Sequence, residues 1–426
     1  MTFRSFEARD LLDTDWYKFA MQFALFCRGH SDEQVSYRFL DRKGSVAAFF
    51  ARHRQGQNGL DADCVRAALL SALTAFTRLR FAATDAAFVV RHLRTAASKP
   101  AAIARLAAFE QKLLAFDASQ VELRVTLDPI AGLELSYSGP WFTAILLEVP
   151  FLAIVSEFFN NFNPSHPSLD SVAAATRAKM ARYTAAGNAR VIEFGTRRRY
   201  SRAVHEAVFE TIVQACPDTA ATSNVLLSQR HARDPKGTCA HEWFMFYEAR
   251  ARSTKVGVGR GEVVGAVREA LRDWLTVYGS VFALTDVYTT RVFFEAYRHL
   301  EAHEKECVHF RCDSGPEMDY LSLLGAELRK EESPNQKDPI KGKMVMFSNS
   351  LSPDKVEEIQ TASINSLFKL YYGIGTNFTN DLQYHSLDIV IKLDQVRDRH
   401  AFKLSDVKDK FVGHEELKAS GFAILA

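Results

Sequence analysis

The sequence predicts an α/β fold, an irregular TIM-like barrel of parallel strands and helices, with a mixed α+β domain at its N-terminal end. From Ala189 onward, strand-like apolar runs alternate with helical ones, which is typical of parallel βα units. A polar or glycine cluster follows several of these runs, in segments 191–199, 282–286, 309–315, 345–350 and 370–377. Because the carboxyl ends of barrel strands meet on one face, we expect these clusters to form one active site.

The barrel helices have recognisable starts. Ser201 can cap a helix whose apolar face includes Val204, Val208 and Ile212. Ser352 is a second cap, and Pro353 follows it at the first helical position, which proline favours.

The N-terminal part of the chain has a different pattern. Residues 44–116 have apolar side chains at helical spacing, whereas residues 121–138 alternate as strands do, with Val121, Leu123 and Val125 on one face. We therefore predict a mixed α+β domain over residues 1–130, joined by the C-terminal segment 386–426, and a barrel domain over residues 131–385.

Composition excludes several classes of protein. The 426 residues are 47% apolar and carry 53 basic against 51 acidic side chains, so we expect no nucleic-acid surface. The apolar run 141–159 is broken by Glu148, Pro150 and Glu157, which favours buried structure over a membrane span. Residues 1–10 lack the apolar segment of a signal peptide, so we predict a cytoplasmic protein without membrane contact.

One histidine is a candidate nucleophile. His241 lies in segment 237–243, where a strand is predicted to give way to a polar loop. A neutral imidazole can attack the γ-phosphate of a nucleotide if an acceptor holds its other nitrogen. Glu242 would point to the opposite face of a strand, so Asp286 is the better candidate acceptor. The alternative is a buried, hydrogen-bonded histidine without a catalytic role.

Three further clusters indicate an anionic, phosphorylated substrate. Arg197, Arg198 and Arg199 can each bind a carboxylate or phosphate in a bidentate manner, or can form a solvated basic turn. The glycine turn 373–377 offers backbone N–H groups to phosphate, as Ser348 and Ser350 offer hydroxyls, unless these residues only make turns and caps.

Two aspartates follow predicted strands. Asp286 and Asp313 could bind ribose hydroxyls or Mg²⁺ on a pyrophosphate, or could cap helices. Thr14 or Asp15 is expected to cap the first helix. Segment 329–343, dense in Lys and Glu, is predicted to be an exposed loop.

Taken together, these segments resemble the nicotinate phosphoribosyltransferase family, a type II phosphoribosyltransferase family. The motifs occur in the family's order over nearly the whole chain: LDTDWYK (12–18), GPW (139–141), EFGTRRRYS (193–201), TSNV (222–225), GTCAHEW (237–243), LTDVY (284–288), GIGTN (373–377), TND (379–381) and LDIVIK (387–392).

The resemblance implies ATP-assisted transfer of phosphoribose from phosphoribosyl pyrophosphate to nicotinate, with Mg²⁺ as cofactor, forming nicotinate mononucleotide for NAD salvage. His241 corresponds to the histidine that becomes phosphorylated. Tyr17 corresponds to an aromatic residue that reaches in from the second subunit of a homodimer. The resemblance further implies substrate contacts for Phe194, Gly195, Thr196, Arg197, Ser223, Asn224 and Arg311, ribose contact for Asp313, and phosphate contacts for Ser348, Ser350, Gly375 and Thr376.

The chain departs from the family's pattern at two positions. Pro316 follows Gly315 where an Asp is common, and Asn349 stands where an Asp is usual. These departures raise the alternative of a catalytically silent relative that binds pyridine nucleotides. A second alternative is transfer to nicotinamide or quinolinate. The arginine cluster favours an anionic base, and His241 argues against the quinolinate enzymes, which lack the ATP step.

Overall fold

The computed structural model describes residues 10–53, 61–187, 189–332, 338–362, 367–381, 386–407 and 410–425. Its helices are α1 Trp16–Cys27, α2 Ser45–His53, α3 Ala62–Thr77, α4 Ala83–Ala96, α5 Pro100–Ile103, α6 Leu106–Leu114, α7 Trp141–Ala144, α8 Glu148–Asn160, α9 Leu169–Ala185, α10 Arg202–Ala215, α11 Val225–Arg230, α12 His241–Ala251, α13 Arg260–Tyr278, α14 Thr290–Arg298, α15 Ala302–Glu306, α16 Glu317–Arg329, α17 Pro353–Ala362, α18 Thr376–Thr379 and α19 Lys418–Ala423. Its strands are β1 Gln34–Asp41, β2 Glu122–Asp128, β3 Gly132–Pro140, β4 Val191–Glu193, β5 Val281–Leu284, β6 Val308–Cys312, β7 Met344–Phe347, β8 Lys369–Ile374, β9 Ile389–Val396, β10 Arg399–His400, β11 Phe402–Lys403 and β12 Val412–Gly413.

A parallel sheet forms the centre of the barrel region. Its strands lie in the order β4-β8-β7-β6-β5, and helices separate them along the chain. A parallel bridge between Glu193 and Thr222 extends the sheet beyond β4. The predicted α/β fold is therefore confirmed, and Ser201 caps α10 as expected, with its side chain accepting from Val204 N.

A second sheet joins the two ends of the chain. Its order is β10-β9-β1-β3-β2, and all its pairings are antiparallel. The predicted strand pattern of residues 121–138 is present in β2 and β3, where Leu133, Leu135 and Tyr137 are buried on one face. Strand β9 pairs with β1, so the C-terminal segment contributes to this sheet. The domain boundary at residue 130 stays a prediction.

Segment Trp141–Asn160 is a long apolar part of the core. An 18-residue stretch of it has a mean hydropathy of 1.9, which is apolar enough to cross a membrane, but 94% of that stretch is buried inside the protein. Its two acidic residues are held by internal cations, since Glu148 pairs with Lys18 and Glu157 pairs with Arg199 at 2.7 Å. Within the described residues this segment forms two buried core helices, α7 and α8, in agreement with the buried structure that the sequence favours.

Arg199 forms a buried ion pair that corrects one sequence-based interpretation. Its guanidinium group donates to both oxygens of Asp13, at 2.7 and 2.6 Å, and to Glu157 at 2.7 Å. Burial alone would raise the pKa of Asp13, but Arg199 holds it well below its usual value. Arg199 is only 1% exposed, so it connects elements of the fold and is not available to a substrate.

Segment 329–343 is not an exposed loop throughout. Residues 333–337 lie outside the described part of the chain, as do residues 1–9 of the N-terminal segment. Ile340 and Lys343 are both buried. The ammonium group of Lys343 donates to the carbonyl of Val308 at 2.9 Å, at the start of β6. This bond allows a lysine to be buried in a segment whose many charged residues predict exposure to solvent.

We expect Arg199→Met to lower the free energy of unfolding by about 3–5 kcal/mol, because it leaves the carboxylates of Asp13 and Glu157 buried without a cation. Urea denaturation followed by circular dichroism measures this change. The matched control is Arg397→Met, which removes an ion pair from Glu33 whose arginine is 62% exposed and should cost less than about 1 kcal/mol. Equal effects of the two substitutions would contradict the structural role of Arg199.

Candidate active site

A cavity of about 660 Å³ is lined by residues from both sheets. The parallel strands end in register, since Leu284 is level with Arg311, Cys312 with Phe347, and Glu193 with Ile374. The residues that follow these strands are thereby brought to one edge. Those of the predicted site residues that line the cavity are Tyr17, Phe194, Gly195, Arg197, His241, Asp286, Arg311, Asp313, Ser348, Ser350, Gly375 and Thr376.

His241 does not follow a strand, contrary to the sequence-based expectation. It is the first residue of helix α12, and all residues from His241 to Ala249 are buried. A continuous apolar run can be a buried strand or a buried helix, and its periodicity does not distinguish them. The helix nevertheless brings the imidazole to the cavity, because its first turn lies at the cavity wall.

Asp286 holds one nitrogen of His241. The distance from His241 Nε2 to Asp286 Oδ1 is 2.9 Å. Burial lowers the pKa of His241 to about 4, and the ammonium group of Lys403 acts in the same direction, while Asp286 opposes it. The imidazole is therefore neutral at pH 7. Since the carboxylate can only accept, Nε2 carries the proton and the lone pair is on Nδ1.

The Asp286 carboxylate has two further donors. Its Oδ2 accepts from Ser314 Oγ at 2.8 Å and from Lys403 Nζ at 2.9 Å. Burial acts to raise the pKa of Asp286, but Lys403 and His241 hold it well below its usual range. Asp286 is thus an anion at neutral pH.

Glu242 turns away from its neighbour His241. On a helix the two side chains are separated by about 100°. Glu242 instead accepts from Lys18 Nζ at 2.5 Å and from Trp141 Nε1 at 2.8 Å, and it bonds to the hydroxyl of Tyr37. The carboxylate of Glu242 therefore pairs with buried donors of the core.

Arg311 connects three loops at the cavity. It donates to Ser348 Oγ at 2.8 Å, to Thr238 Oγ1 at 2.7 Å and to Asp313 Oδ1 at 3.3 Å. Ser348 also donates to Asp313 Oδ1 at 2.7 Å. Arg311 therefore links the ends of β6 and β7 to the loop before His241, and its guanidinium carbon lies 5.8 Å from the Phe194 ring centre.

Arg197 and Tyr17 lie at the same wall. Arg197 Nη1 is 3.6 Å from Glu148 Oε1, and Arg198 pairs with Asp388 at 3.2 Å. Tyr17 lines the cavity of its own chain. The contact of Tyr17 with the site of a second subunit, which the resemblance implies, stays a prediction.

Thr196, Ser223 and Asn224 do not line the cavity, although they are predicted site residues. They are buried behind it, where Ser223 donates to Asp15 at 2.8 Å and Asn224 donates to Asp13 at 2.9 Å. Asp15 occupies the N-cap position of α1 but does not cap the helix with its side chain. Its carboxylate is engaged by Ser223 instead, so these polar residues attach the N-terminal segment to the strand ends.

Five cations that line the cavity were not predicted as site residues. Arg38 and Arg42 come from β1 and the residues after it, Lys392 comes from β9, and Lys403 and Lys410 come from the C-terminal segment. Burial lowers the pKa of Lys392 to about 8, with Lys403 acting in the same direction. Lys392 lies in the motif LDIVIK (387–392), but no local sequence pattern marks the other four as site residues.

Mg²⁺ would fit at Asp313 and not at Asp286. Both oxygens of Asp286 are taken by His241, Ser314 and Lys403. Asp313 has one oxygen bound to Ser348, its other oxygen is 3.9 Å from His241, and its side chain is 29% exposed. Within the described residues no cluster of three His, Cys, Asp or Glu side chains is suited to a metal, so one carboxylate plus substrate phosphates is the arrangement that fits.

Comparison with known proteins gives consistent matches. The nicotinate phosphoribosyltransferase (NAPRTase) family model matches residues 189–420, and the model of the family's N-terminal domain matches residues 12–156. The chain is 31% identical to nicotinate phosphoribosyltransferase of Chromohalobacter salexigens over 98% of both chains. It is 34% identical to that of Desulforapulum autotrophicum, over 73% of this chain and 77% of the relative. The crystal structure of nicotinate phosphoribosyltransferase from Porphyromonas gingivalis is similar, with a TM-score of 0.80 and 27% identity, over 98% of this chain and 99% of that one.

We expect Gly373→Ala to displace the Phe194 ring, because the added Cβ would lie 2.5 Å from Phe194 Cδ2. Such overpacking costs about 1–3 kcal/mol of stability. Thermal unfolding and a crystal structure of the variant measure both effects. The control is Gly325→Ala, where nothing lies within 4 Å of the added methyl group in helix α16, and which should be neutral or slightly stabilising. An unmoved Phe194 ring would contradict this account of the wall.

Proposed function

The chain belongs to the nicotinate phosphoribosyltransferase family, and we propose that it transfers phosphoribose from phosphoribosyl pyrophosphate to nicotinate with the assistance of ATP. The products are nicotinate mononucleotide and pyrophosphate, and the reaction serves NAD salvage. The observation that carries the proposal is a neutral, buried His241 held by Asp286 in a cavity whose walls are rich in cations. The protein is an enzyme of this family and of pyridine nucleotide biosynthesis.

Phe194 and Arg197 are the proposed contacts of the base. Phe194 lines the cavity and offers a flat apolar face to a pyridine ring. Arg197 offers a planar donor pair that matches a carboxylate. Its nearest anion, Glu148, is also bound by Lys18, so Arg197 retains donors for a substrate. Nicotinate has both features, whereas nicotinamide lacks the carboxylate.

The sugar phosphate is proposed to lie at the ends of β7 and β8. These strands are neighbours, and the loops after them carry Ser348, Ser350, Gly375 and Thr376 at the cavity. Hydroxyl and backbone N–H donors of this kind bind phosphate. Asp313 is proposed to contact ribose and, with the substrate's phosphates, to hold Mg²⁺, which would stabilise the charge on the departing pyrophosphate.

Five further cations of the cavity support binding of polyphosphates. Lys392, Lys403, Lys410, Arg38 and Arg42 all line the cavity, and the pyrophosphate and triphosphate groups carry the complementary charge. Transfer of phosphoribose passes through a sugar cation and needs fixed charges more than an acid or a base. The walls described here supply such charges.

His241 is proposed to couple ATP to this transfer. Nδ1 attacks the γ-phosphorus, a nitrogen–phosphorus bond forms, and the bond to the β-phosphate oxygen breaks with its electron pair, releasing ADP. The proton stays on Nε2, where Asp286 stabilises the positive charge of the phosphorylated ring. Water later cleaves the phosphohistidine and releases phosphate.

Two further expectations accompany this proposal. We propose a cytoplasmic homodimer in which Tyr17 reaches the site of the second subunit, as the resemblance implies. Nicotinamide is the alternative base, and an assay of base preference separates the two bases.

Purified protein should form nicotinate mononucleotide from labelled nicotinate, phosphoribosyl pyrophosphate and Mg²⁺, and ATP should raise the yield. His241→Ala should lose the ATP stimulation, because no nucleophile remains for the γ-phosphate. His303→Ala, which alters an exposed histidine of α15, is the matched control and should retain it. Absence of product from the unaltered protein under every condition would contradict the transferase, and equal stimulation of the two variants would contradict the phosphohistidine.

Arg197→Gln should reduce the preference for nicotinate over nicotinamide by roughly 10- to 100-fold, because a hydrogen bond to a charged group contributes about 1.5–3 kcal/mol. Competition between the two bases, expressed as the ratio of their kcat/KM values, measures this preference. The control Arg124→Gln changes an arginine of β2 that is 74% exposed and should leave the ratio unaltered. A ratio unaltered in Arg197→Gln would contradict the assigned role.

A further inference from the structure

We propose that Lys179 is a positioning residue of the phosphate site, which fixes the glycine turn 373–377 from behind without touching the substrate. The inference rests on the proposed function, because it takes the sugar phosphate to bind at this turn. Lys179 belongs to helix α9, which lies entirely within the described part of the chain and none of whose residues lines the cavity.

The turn depends on its backbone bonds for its shape. Gly373, Gly375, Thr376 and Asn377 all line the cavity. Phe378 N donates to Gly375 O at 2.9 Å, and this bond closes the turn. Glycine has no side chain that could be packed and adopts many backbone conformations, so a turn with two glycines needs further contacts to keep a single one.

Lys179 binds the peptide group that closes the turn. Its ammonium group donates to the carbonyl of Asn377, and also to Asp381 Oδ2 at 2.6 Å. The carbonyl of Asn377 and the N–H of Phe378 belong to one planar peptide group. This group is therefore bonded at both ends, by Lys179 and by Gly375, and its orientation determines the direction of the turn before it.

Helix α9 makes two more contacts with the elements around the proposed phosphate site. Tyr183 lies four residues after the lysine and hence on the same face of the helix. Its ring centre is 5.9 Å from that of Phe378 at an angle of 73°, and both rings are buried. Arg182 binds both oxygens of Glu357 in α17, at 2.7 and 2.6 Å, and α17 follows the loop that carries Ser348. The helix thus supports the segments after both β7 and β8.

Two other roles for Lys179 give different results. A lysine that attracts phosphate by its charge would need an exposed or unpaired ammonium group, but the Lys179 side chain is 14% exposed and Asp381 offsets its charge. A lysine that only stabilises the fold would change the free energy of unfolding and leave the preference for a phosphorylated ligand unaltered. A positioning lysine changes that preference.

The test compares two ligands that differ only in the phosphate, nicotinate mononucleotide and nicotinate riboside, by isothermal titration calorimetry. In Lys179→Met we expect the Kd of the mononucleotide to rise roughly tenfold, because the turn then has to be ordered when the phosphate binds. The Kd of the riboside should stay the same. Lys179→Arg should restore the affinity, and the matched control Arg177→Met, which alters an exposed arginine of α9, should leave both Kd values unaltered.

Steady-state kinetics provide the second readout. The KM for phosphoribosyl pyrophosphate should rise in Lys179→Met by a similar factor, whereas the KM for nicotinate should not change. If Lys179→Met does not fold, Asp381→Asn weakens the second anchor of the lysine and should raise the Kd of the mononucleotide alone, by a smaller factor.

The outcomes separate this inference from the proposed function. An unaltered mononucleotide Kd in the folded variant, or an equal loss of affinity for mononucleotide and riboside, would overturn the positioning role of Lys179. An unaltered protein that binds the mononucleotide no more tightly than the riboside would instead overturn the proposed phosphate site, and the inference with it.

Discussion

The buried ammonium group of Lys18 joins the elements on which the active site depends. It is completely buried and lies between Glu148 of α8 and Glu242 of α12. Burial would lower the pKa of Lys18, but the two carboxylates raise it well above its usual value. A buried charge is tolerated only when it is paired, so α1, α8 and α12 have to meet at this point. Tyr17 and His241 are the chain neighbours of these paired residues and reach the cavity as a consequence.

Several cations line the cavity, and some of them destabilise one another. Burial, together with the neighbouring Arg197 and Arg42, lowers the pKa of Arg198 to about 10. Asp388 partly offsets this repulsion through Arg198 and Arg42, at 3.2 and 2.9 Å. A bound polyphosphate would offset the rest of the repulsion between these cations. At His241, burial lowers the pKa of the imidazole, the ammonium group of Lys403 acts in the same direction, and the ring stays neutral.

The two departures from the family's pattern lie next to each other in space. Asn349 Nδ2 donates to the carbonyl of Gly315 at 2.9 Å, directly before Pro316. An aspartate at position 349 could not donate this bond, since a carboxylate only accepts. Gly315 has a φ of +79°, which suits glycine and lets the loop turn there. The amide therefore ties the two strand-end loops with a neutral hydrogen bond, and Asp313 keeps its contacts with Ser348 and Arg311.

Local sequence determined the parts of this protein that depend on neighbouring residues. Alternating apolar patterns and caps such as Ser201 predicted the α/β fold, and the rule that parallel strands end at one edge brought Asp286, Asp313 and Gly375 together. Tertiary structure decided the rest. Partners far away in the chain decided that the run after His241 is a helix and not a strand. They also decided that Arg199 faces Asp13 and not a substrate, and that Lys403 is the lysine that reaches Asp286. Burial and charge pairing select such partners, and no local pattern records them.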